Sequence, residues 1–241
     1  MVAGALIKGL HIVPAPRSRI PEKLPASPVK KRPDSVVPHT ESLTQLRSAA
    51  AVCRACDLWK LATQTVFGEG PRNAAIMFVG EQPGDLEDRS GHPFVGPAGK
   101  LFDQALAEAS IERSEVYVTN VVKHFKWAAA ERGKRRIHKK PRHSEIAACR
   151  PWLDAEMAAV KPKIVVCLGA SAAQALLGND FRVSRDRGRV IDSDLNPQVF
   201  ATVHPSSILR AQDDESRRSQ MRAFIEDLRQ VARIANQAPR S

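Results

Sequence analysis

Four short, almost wholly apolar runs punctuate this chain, at Ala74–Gly80 (AAIMFVG), Val116–Val122 (VYVTNVV), Ile164–Gly169 (IVVCLG) and Gln198–Val203 (QVFATV). Helical patterns lie between or after them, at Ala98–Ala109, Ser144–Val160, Ser171–Leu177 and Glu215–Asn236, and an earlier helix runs from near Thr44 through Leu46 and Ala50. A strand that is apolar on both sides must be covered on both faces, and strands that alternate with amphipathic helices pair in parallel through crossovers. The sequence therefore predicts an α/β fold, three layers deep (α/β/α), with a parallel central sheet. Its 241 residues suit one catalytic-size domain with a tail. Residues 1–40 carry seven prolines and little apolar periodicity, so a disordered, basic, Pro-rich arm is expected over 1–42 and the folded domain over 43–237.

All four cysteines fall into one tetrad: Cys53 and Cys56 as C-x-x-C, then Cys149 and Cys167 with seventeen residues between them. A metal or cluster site needs thiolates that converge in space, whatever their separation in sequence. A disulfide framework fits less well, because a chain of this size buries a core without staples. Structural zinc usually takes two closely spaced pairs. The wide second pair suits an iron–sulfur cluster built into a larger fold at least as well, so spacing leaves both metals open.

The net charge of +11 is concentrated in two places. Residues 1–40 hold seven Lys/Arg against Glu22 and Asp34, and residues 123–143 hold nine against Glu131 alone. Two basic segments on a nearly neutral globule point to a polyanion partner. A solvated loop and a solubilising tail are the plainer alternative. No run approaches the ~18 apolar residues of a membrane span. The opening MVAGALIKGLHIV is interrupted by Lys8 and His11 and no small-residue cleavage site follows, so neither a signal nor a membrane anchor is expected, and a reducing, cytoplasmic setting is.

Ligands of open parallel sheets sit beyond the carboxyl ends of the strands. Three segments fall there: Gly80-Glu81-Gln82-Pro83-Gly84, then Asn120 with the basic stretch, then His204-Pro205-Ser206-Ser207-Ile208-Leu209-Arg210. A carboxylate, an amide and an imidazole on one edge have the look of a site. Taken singly, each residue also has a plainer reading. Glu81 reads as an exposed turn carboxylate, His204 as a histidine bonded to backbone, Asn120 as the tie of a turn and Phe94 as core. The pentamer Lys134-Arg135-Arg136-Ile137-His138 reads as a solvated or nucleic-acid-binding loop.

The set GEQPG, GHPFVGPAGKLFD, TNVVKHFKW and HPSSILR, with the cysteines at these places, resembles the uracil-DNA glycosylase superfamily over about residues 44–235. The likeness is to the iron–sulfur, family 4-like branch. Within it, Lys134–His138 and Gln82 resemble the UdgX type, whose members excise uracil and stay covalently attached to the DNA. That resemblance implies a role for each residue. Glu81 stabilises the sugar cation or orients a nucleophile, and His204 donates to O2 of departing uracil. Asn120 reads N3–H and O4, with its amide orientation locked by neighbours, and Phe94 stacks on the extruded base. Gln82 shapes the pocket. His138 attacks C1′ of the sugar, its neutral form favoured by neighbouring cations, while Arg136 holds the loop through phosphate or carboxylate contacts. Ser206 and Ser207 meet a DNA phosphate, and Ile208 or Leu209 wedges into the vacated stack. Cys53, Cys56, Cys149 and Cys167 hold a structural [4Fe–4S] cluster. The implied partner is uracil-containing DNA, with single strands the expected form, bound by a monomer.

Overall fold

The computed structural model describes residues 36–131, 136–191, 193, 195 and 197–237. Residues 1–35 of the expected arm lie outside the described residues, as do Lys134 and Arg135 of the basic pentamer. The elements run α1 (Leu43–Ala50), β1 (Ile76–Gly80), α2 (Asp85–Ser90), α3 (Pro97–Glu108), β2 (Tyr117–Asn120), β3 (Trp127–Ala129), β4 (Arg136–His138), α4 (His143–Val160), β5 (Ile164–Leu168), α5 (Ala170–Leu177), α6 (Val183–Asp186), β6 (Val190–Ile191), β7 (Gln198–Thr202), α7 (Pro205–Leu209) and α8 (Asp214–Gln237).

Strand order in the main sheet is β2-β1-β5-β7-β6. The four expected strands are mutually parallel, and β6 adds a short antiparallel edge against β7. β1, β2 and β5 are buried at every residue, as their continuous apolar sequences require. Alternation then sorts their side chains between two cores. Met77, Val79, Val165 and Val199 join Leu46, Trp152, Leu153 and Ala172 of α1, α4 and α5. Phe78, Val166 and Phe200 join Phe102, Leu106, Phe224 and Leu228 of α3 and α8. Helices on both faces of a mostly parallel sheet give the expected three layers. Val37 is buried in the first core, so the compact fold takes in residues that the sequence pattern assigned to the arm. Among the described residues no helix is long and apolar enough to cross a membrane.

Local chemistry sets the ends of the elements that carry the site. Ser42 caps α1 by accepting from the Gln45 N–H. α4 opens with Glu145 reaching back to the Arg142 N–H at 2.6 Å, and it continues through Pro151. A two-stranded hairpin, β3 against β4, stands apart from the main sheet and pairs Trp127 with His138.

Candidate active site

At the carboxyl edge of the sheet, β1, β2 and β7 end in Gly80, Asn120 and Thr202, and the segments that follow wall a cleft of about 1010 Å³. Glu81, Gln82, Phe94, Asn120, His138, His204, Ser206 and Ser207 all line it. Eight residues from five separate segments of the sequence thus share one cavity.

Gly80 makes the floor possible. A Cβ there would stand 2.4 Å from Asn120 Oδ1 and 2.9 Å from Phe94 Cζ, so only glycine lets the amide and the ring approach this closely. Phe94 takes a left-handed backbone (φ 59°), and its carbonyl carbon would lie 2.2 Å from a Cβ on Gly99, which fixes the start of α3 against it. Its ring packs on Phe102 at 5.3 Å and stacks toward His204 at 6.3 Å. Asn120 is buried, and its backbone carbonyl accepts from Lys123 Nζ at 2.6 Å. No hydrogen bond among the described residues ties its carboxamide, and Oδ1 occupies space that a side chain on Gly80 would fill.

The two histidines are held as neutral rings with opposite tautomers. His204 Nδ1 accepts from the Ser206 backbone N–H at 3.1 Å, which puts the ring proton on Nε2. Burial, with Arg210 and His138 adding to it, holds its pKa down to about 4. Ser206 and Ser207, expected on a phosphate, are spent on this histidine: Ser206 Oγ stands 2.8 Å from Nδ1 and Ser207 Oγ donates to the His204 carbonyl.

His138 ends β4. Gln82 Oε1 accepts from the Lys126 N–H at 3.0 Å, which fixes the amide's orientation. Gln82 Nε2 therefore donates to His138 Nε2 at 2.8 Å, leaving the ring proton on Nδ1 and the lone pair on Nε2. The same Nε2 lies 3.6 Å from Glu81 Oε1. His138 has its pKa lowered chiefly by burial; Glu81 opposes the shift and Arg210 assists it. This corrects the expected cause, since desolvation outweighs the neighbouring cations.

The hairpin is clasped from beneath. Arg136 binds Asp85, reaches Asp88 Oδ2 at 2.6 Å and lies over the rings of Phe125 and Trp127. It also donates to Thr63 Oγ1 and the Asp85 carbonyl, and its charged partners are carboxylates. The same holds along much of the basic stretch: Lys123 pairs with Glu156, and Lys126 and Arg142 with Glu145. Lys140 and Arg210 line the cleft. Of the two expected wedges, Ile208 is fully buried, and Leu209 lines the cleft with partial exposure.

Beside the cleft, Cys53, Cys56 and Cys149 line a second, smaller cavity with Ala50, Ala55, Lys123, His124, Ala148 and Trp152. Two N–H groups already point at its sulfurs: Trp152 Nε1 donates to Cys53 Sγ at 3.2 Å, and the Lys123 N–H to Cys149 Sγ at 3.3 Å. Such donors stabilise sulfur that carries negative charge, which is the chemistry a cluster asks of its ligands. Burial pushes the Cys149 thiol up to about 12, so only metal binding would deprotonate it near neutrality. No group of three or more His, Cys, Asp or Glu among the described residues is gathered for a single ion. A four-iron cubane holds its ligands further apart than one ion does.

Cys167 does not itself line this cavity. It sits in mid-sheet on β5, in register with Val79 and Ala201, and shares the apolar core with Ala172 and Ala173. Cys149 is part of that same core, and Cys53 and Cys56 pack against it, so the four cysteines of the expected set share one region of the fold. His124, which lines the cavity, drew no notice in the sequence because one histidine beside a lysine-rich run carries no spacing signal.

A phenyl face, an untied carboxamide, a carboxylate and two neutral imidazoles thus line one cleft, the kind of lining that suits a flat heterocycle with polar edges. Residues 67–229 match the family described as the uracil DNA glycosylase superfamily, and the chain belongs to that family. It is similar to the type-4 uracil-DNA glycosylase of Sulfurisphaera tokodaii, 37% identical over 177 residues that span 70% of this chain and 76% of the relative. The type-4 uracil-DNA glycosylase of Thermotoga maritima is 38% identical over 167 residues, 69% of this chain and 82% of that protein. That of Archaeoglobus fulgidus is 37% identical over 176 residues, 70% and 84% of the two chains.

Proposed function

We propose that this protein excises uracil from DNA and then captures the abasic sugar covalently on His138, in a single turnover. The type-4 relatives support the excision. The observation that carries the capture is the position of His138 Nε2, which bears a lone pair 3.6 Å from the Glu81 carboxylate. A carboxylate placed to stabilise a sugar cation then stands beside the nucleophile that consumes it.

Uracil stacks on Phe94, with Asn120 Oδ1 accepting from N3–H and Nδ2 donating to O4. His204 Nε2–H donates to O2. The C1′–N1 bond breaks with its electron pair leaving on uracil, and the sugar cation forms against Glu81. His138 Nε2 gives its lone pair to C1′, at the cost of its bond from Gln82, about 1 kcal/mol. The Nδ1 proton passes to solvent, and the uracil anion takes one from solvent. The product is an N-linked imidazole sugar that hydrolyses slowly, so turnover ends there. Lys140 and Arg210 meet phosphates of the strand, for which we expect single-stranded DNA and a monomeric protein. Cys53, Cys56, Cys149 and Cys167 would hold a [4Fe–4S] cluster, which would supply a structural clamp between the end of α1, α4 and β5.

The test is a denaturing gel of protein mixed with uracil-containing oligonucleotide. We expect a complex that survives boiling in SDS, formed once per chain and absent with thymine or cytosine. His138→Ala should abolish the complex yet still release uracil, leaving an alkali-labile abasic site. Many turnovers by the native protein with no heat-stable complex would mean that water completes the reaction.

A further inference from the structure

One apolar side chain on the wall of the cleft has no part in the steps above. Eight large apolar side chains among the described residues are exposed, and two of them, Leu86 and Leu209, line the cleft. Single exposed leucines are ordinary on a protein surface. Leu86 is less ordinary because of the helix that bears it. α2 opens Asp85-Leu86-Glu87-Asp88, and it buries Glu87 and Asp88 while leaving Leu86 50% exposed. That is the reverse of the usual amphipathic pattern.

We infer that Leu86 packs against the base on one side of the extruded uracil, with Leu209 against the base on the other, so that the cleft grips three consecutive nucleotides of one strand. The inference rests on the excision reading and deepens it by naming a residue that recognises the neighbours of the uracil.

The acidic residues of α2 hold the helix still. Arg136 bonds Asp85 and reaches Asp88 at 2.6 Å, the Thr63 N–H donates to Asp88 Oδ1 at 3.0 Å, and the Gly96 N–H donates to Glu87 Oε1 at 2.9 Å. Leu86 makes none of these contacts and projects from a fixed base. An apolar contact there counts toward binding, because no helix has to be ordered first.

The two leucines also reach the cleft from different places. β5 lies between β1 and β7, so the chain leaves the carboxyl ends of those two strands about 10 Å apart, two strand spacings. Leu86 follows β1 and Leu209 follows β7. The cleft between these segments, about 1010 Å³, has room for more than one pyrimidine, since ~300–1,000 Å³ already encloses a drug-sized ligand. Lys140 and Arg210 bring positive charge to the same cleft, as the phosphates joining these nucleotides require.

The test measures single-turnover uracil release while protein is titrated against three single-stranded oligonucleotides. One has normal neighbours. The others replace the 5′ or the 3′ neighbour of the uracil nucleotide by a tetrahydrofuran unit, which removes the base and keeps every phosphate. Burying the exposed half of a leucine changes affinity by about three- to tenfold. On the normal oligonucleotide, Leu86→Ala should raise the protein concentration for half-maximal rate by about that factor and keep the maximal rate. Leu86→Met should restore it. On one of the base-free oligonucleotides the Leu86→Ala defect should vanish, and on the other the Leu209→Ala defect should. The inference is overturned if Leu86→Ala matches the native protein on the normal oligonucleotide, or if its defect is equal on all three. It is also overturned if both variants lose their defect on the same flank. Native protein that releases no uracil from the normal oligonucleotide overturns the excision reading itself, and that result needs no variant.

Discussion

Replacing Glu156 by Gln tests the interior on which the reading amide rests. Glu156 is fully buried, and Lys123 beside it is only 1% exposed. The carboxylate accepts from the Gly68 N–H at 2.9 Å, Tyr117 Oη at 3.0 Å, Thr119 Oγ1 at 2.9 Å and Lys123 Nζ at 2.5 Å. Every partner is a donor, so only a carboxylate accepts on both sides. A Gln side chain must turn its NH2 toward one donor set or the other, and in either orientation the Lys123 ammonium loses its counter-charge. Leaving one member of a buried pair unmatched costs about 3–5 kcal/mol. For a domain of this size, each kcal/mol lowers the melting temperature by about 2–4 °C, so the drop should be about 6–20 °C.

The function should fall with it. Lys123 Nζ also donates to the Asn120 carbonyl, so an ammonium without its anion will shift the backbone that carries the uracil reader. The assay is thermal and urea unfolding of matched samples with equal iron content, alongside the rate of uracil release. Lys123→Met in the Glu156→Gln background removes the stranded cation and should recover a large part of the stability, a coupling of about 1–3 kcal/mol. Recovery of activity is not expected, because the Asn120 carbonyl remains untied. A single variant that melts within about 3 °C of the native protein, or a double variant no better than the single, would refute the argument.

Gly80→Ala should destabilise by about 1–3 kcal/mol and sharply reduce uracil release, since its Cβ overlaps Asn120 Oδ1 and Phe94; steady-state excision and a urea midpoint check both. Asn120→Ala should keep DNA binding while losing about 1–3 kcal/mol or more of uracil selectivity per missing base contact, read from competition with thymine-containing DNA. If His138 captures the sugar as proposed, the rate of adduct formation should stay flat as pH falls past 6.5 and decline only below the lowered pKa of His138, because the proposed nucleophile is the neutral ring. Stability has its own pH dependence from His204. The unfolded chain takes up a proton near pH 6.5 and the folded chain only near about 4, so stability should fall by about 3 kcal/mol as pH drops through that window, and His204→Asn should flatten the profile.

The layers, the parallel strands and the edge on which the site sits were legible because apolar runs of five to seven residues alternate with long amphipathic helices. The β3–β4 hairpin was not, because three-residue strands made of residues such as Arg136 and His138 have no apolar period to read. The antiparallel edge β6 was missed for the same reason. Among the cleft residues, Glu81, Asn120 and His204 follow strand ends, and strand ends can be placed from sequence. Ser206 and Ser207 were given to a phosphate because nothing local shows that their donors turn back on His204.

On the proposed capture, what would distinguish a trap from an enzyme that turns over is support more than chemistry. Any imidazole near a sugar cation can attack it, but one on a three-residue strand would be free to swing away. His138 is fixed from two directions. Gln82, rooted in the turn after β1, donates one NH2 proton to its Nε2 and the other toward the Lys139 carbonyl, and accepts from the Lys126 N–H, so one amide staples both sides of the hairpin to the edge of the main sheet. Arg136, two residues earlier, anchors the same strand to Asp85 and Asp88 of α2. Gln82→Ala should therefore lower the efficiency of adduct formation at an unchanged rate of uracil release, because Glu81 and His204 keep their places while the nucleophile loses its register. The readout is the ratio of cross-linked DNA to free abasic DNA in one reaction. An unchanged ratio would show that the hairpin holds His138 without its staple.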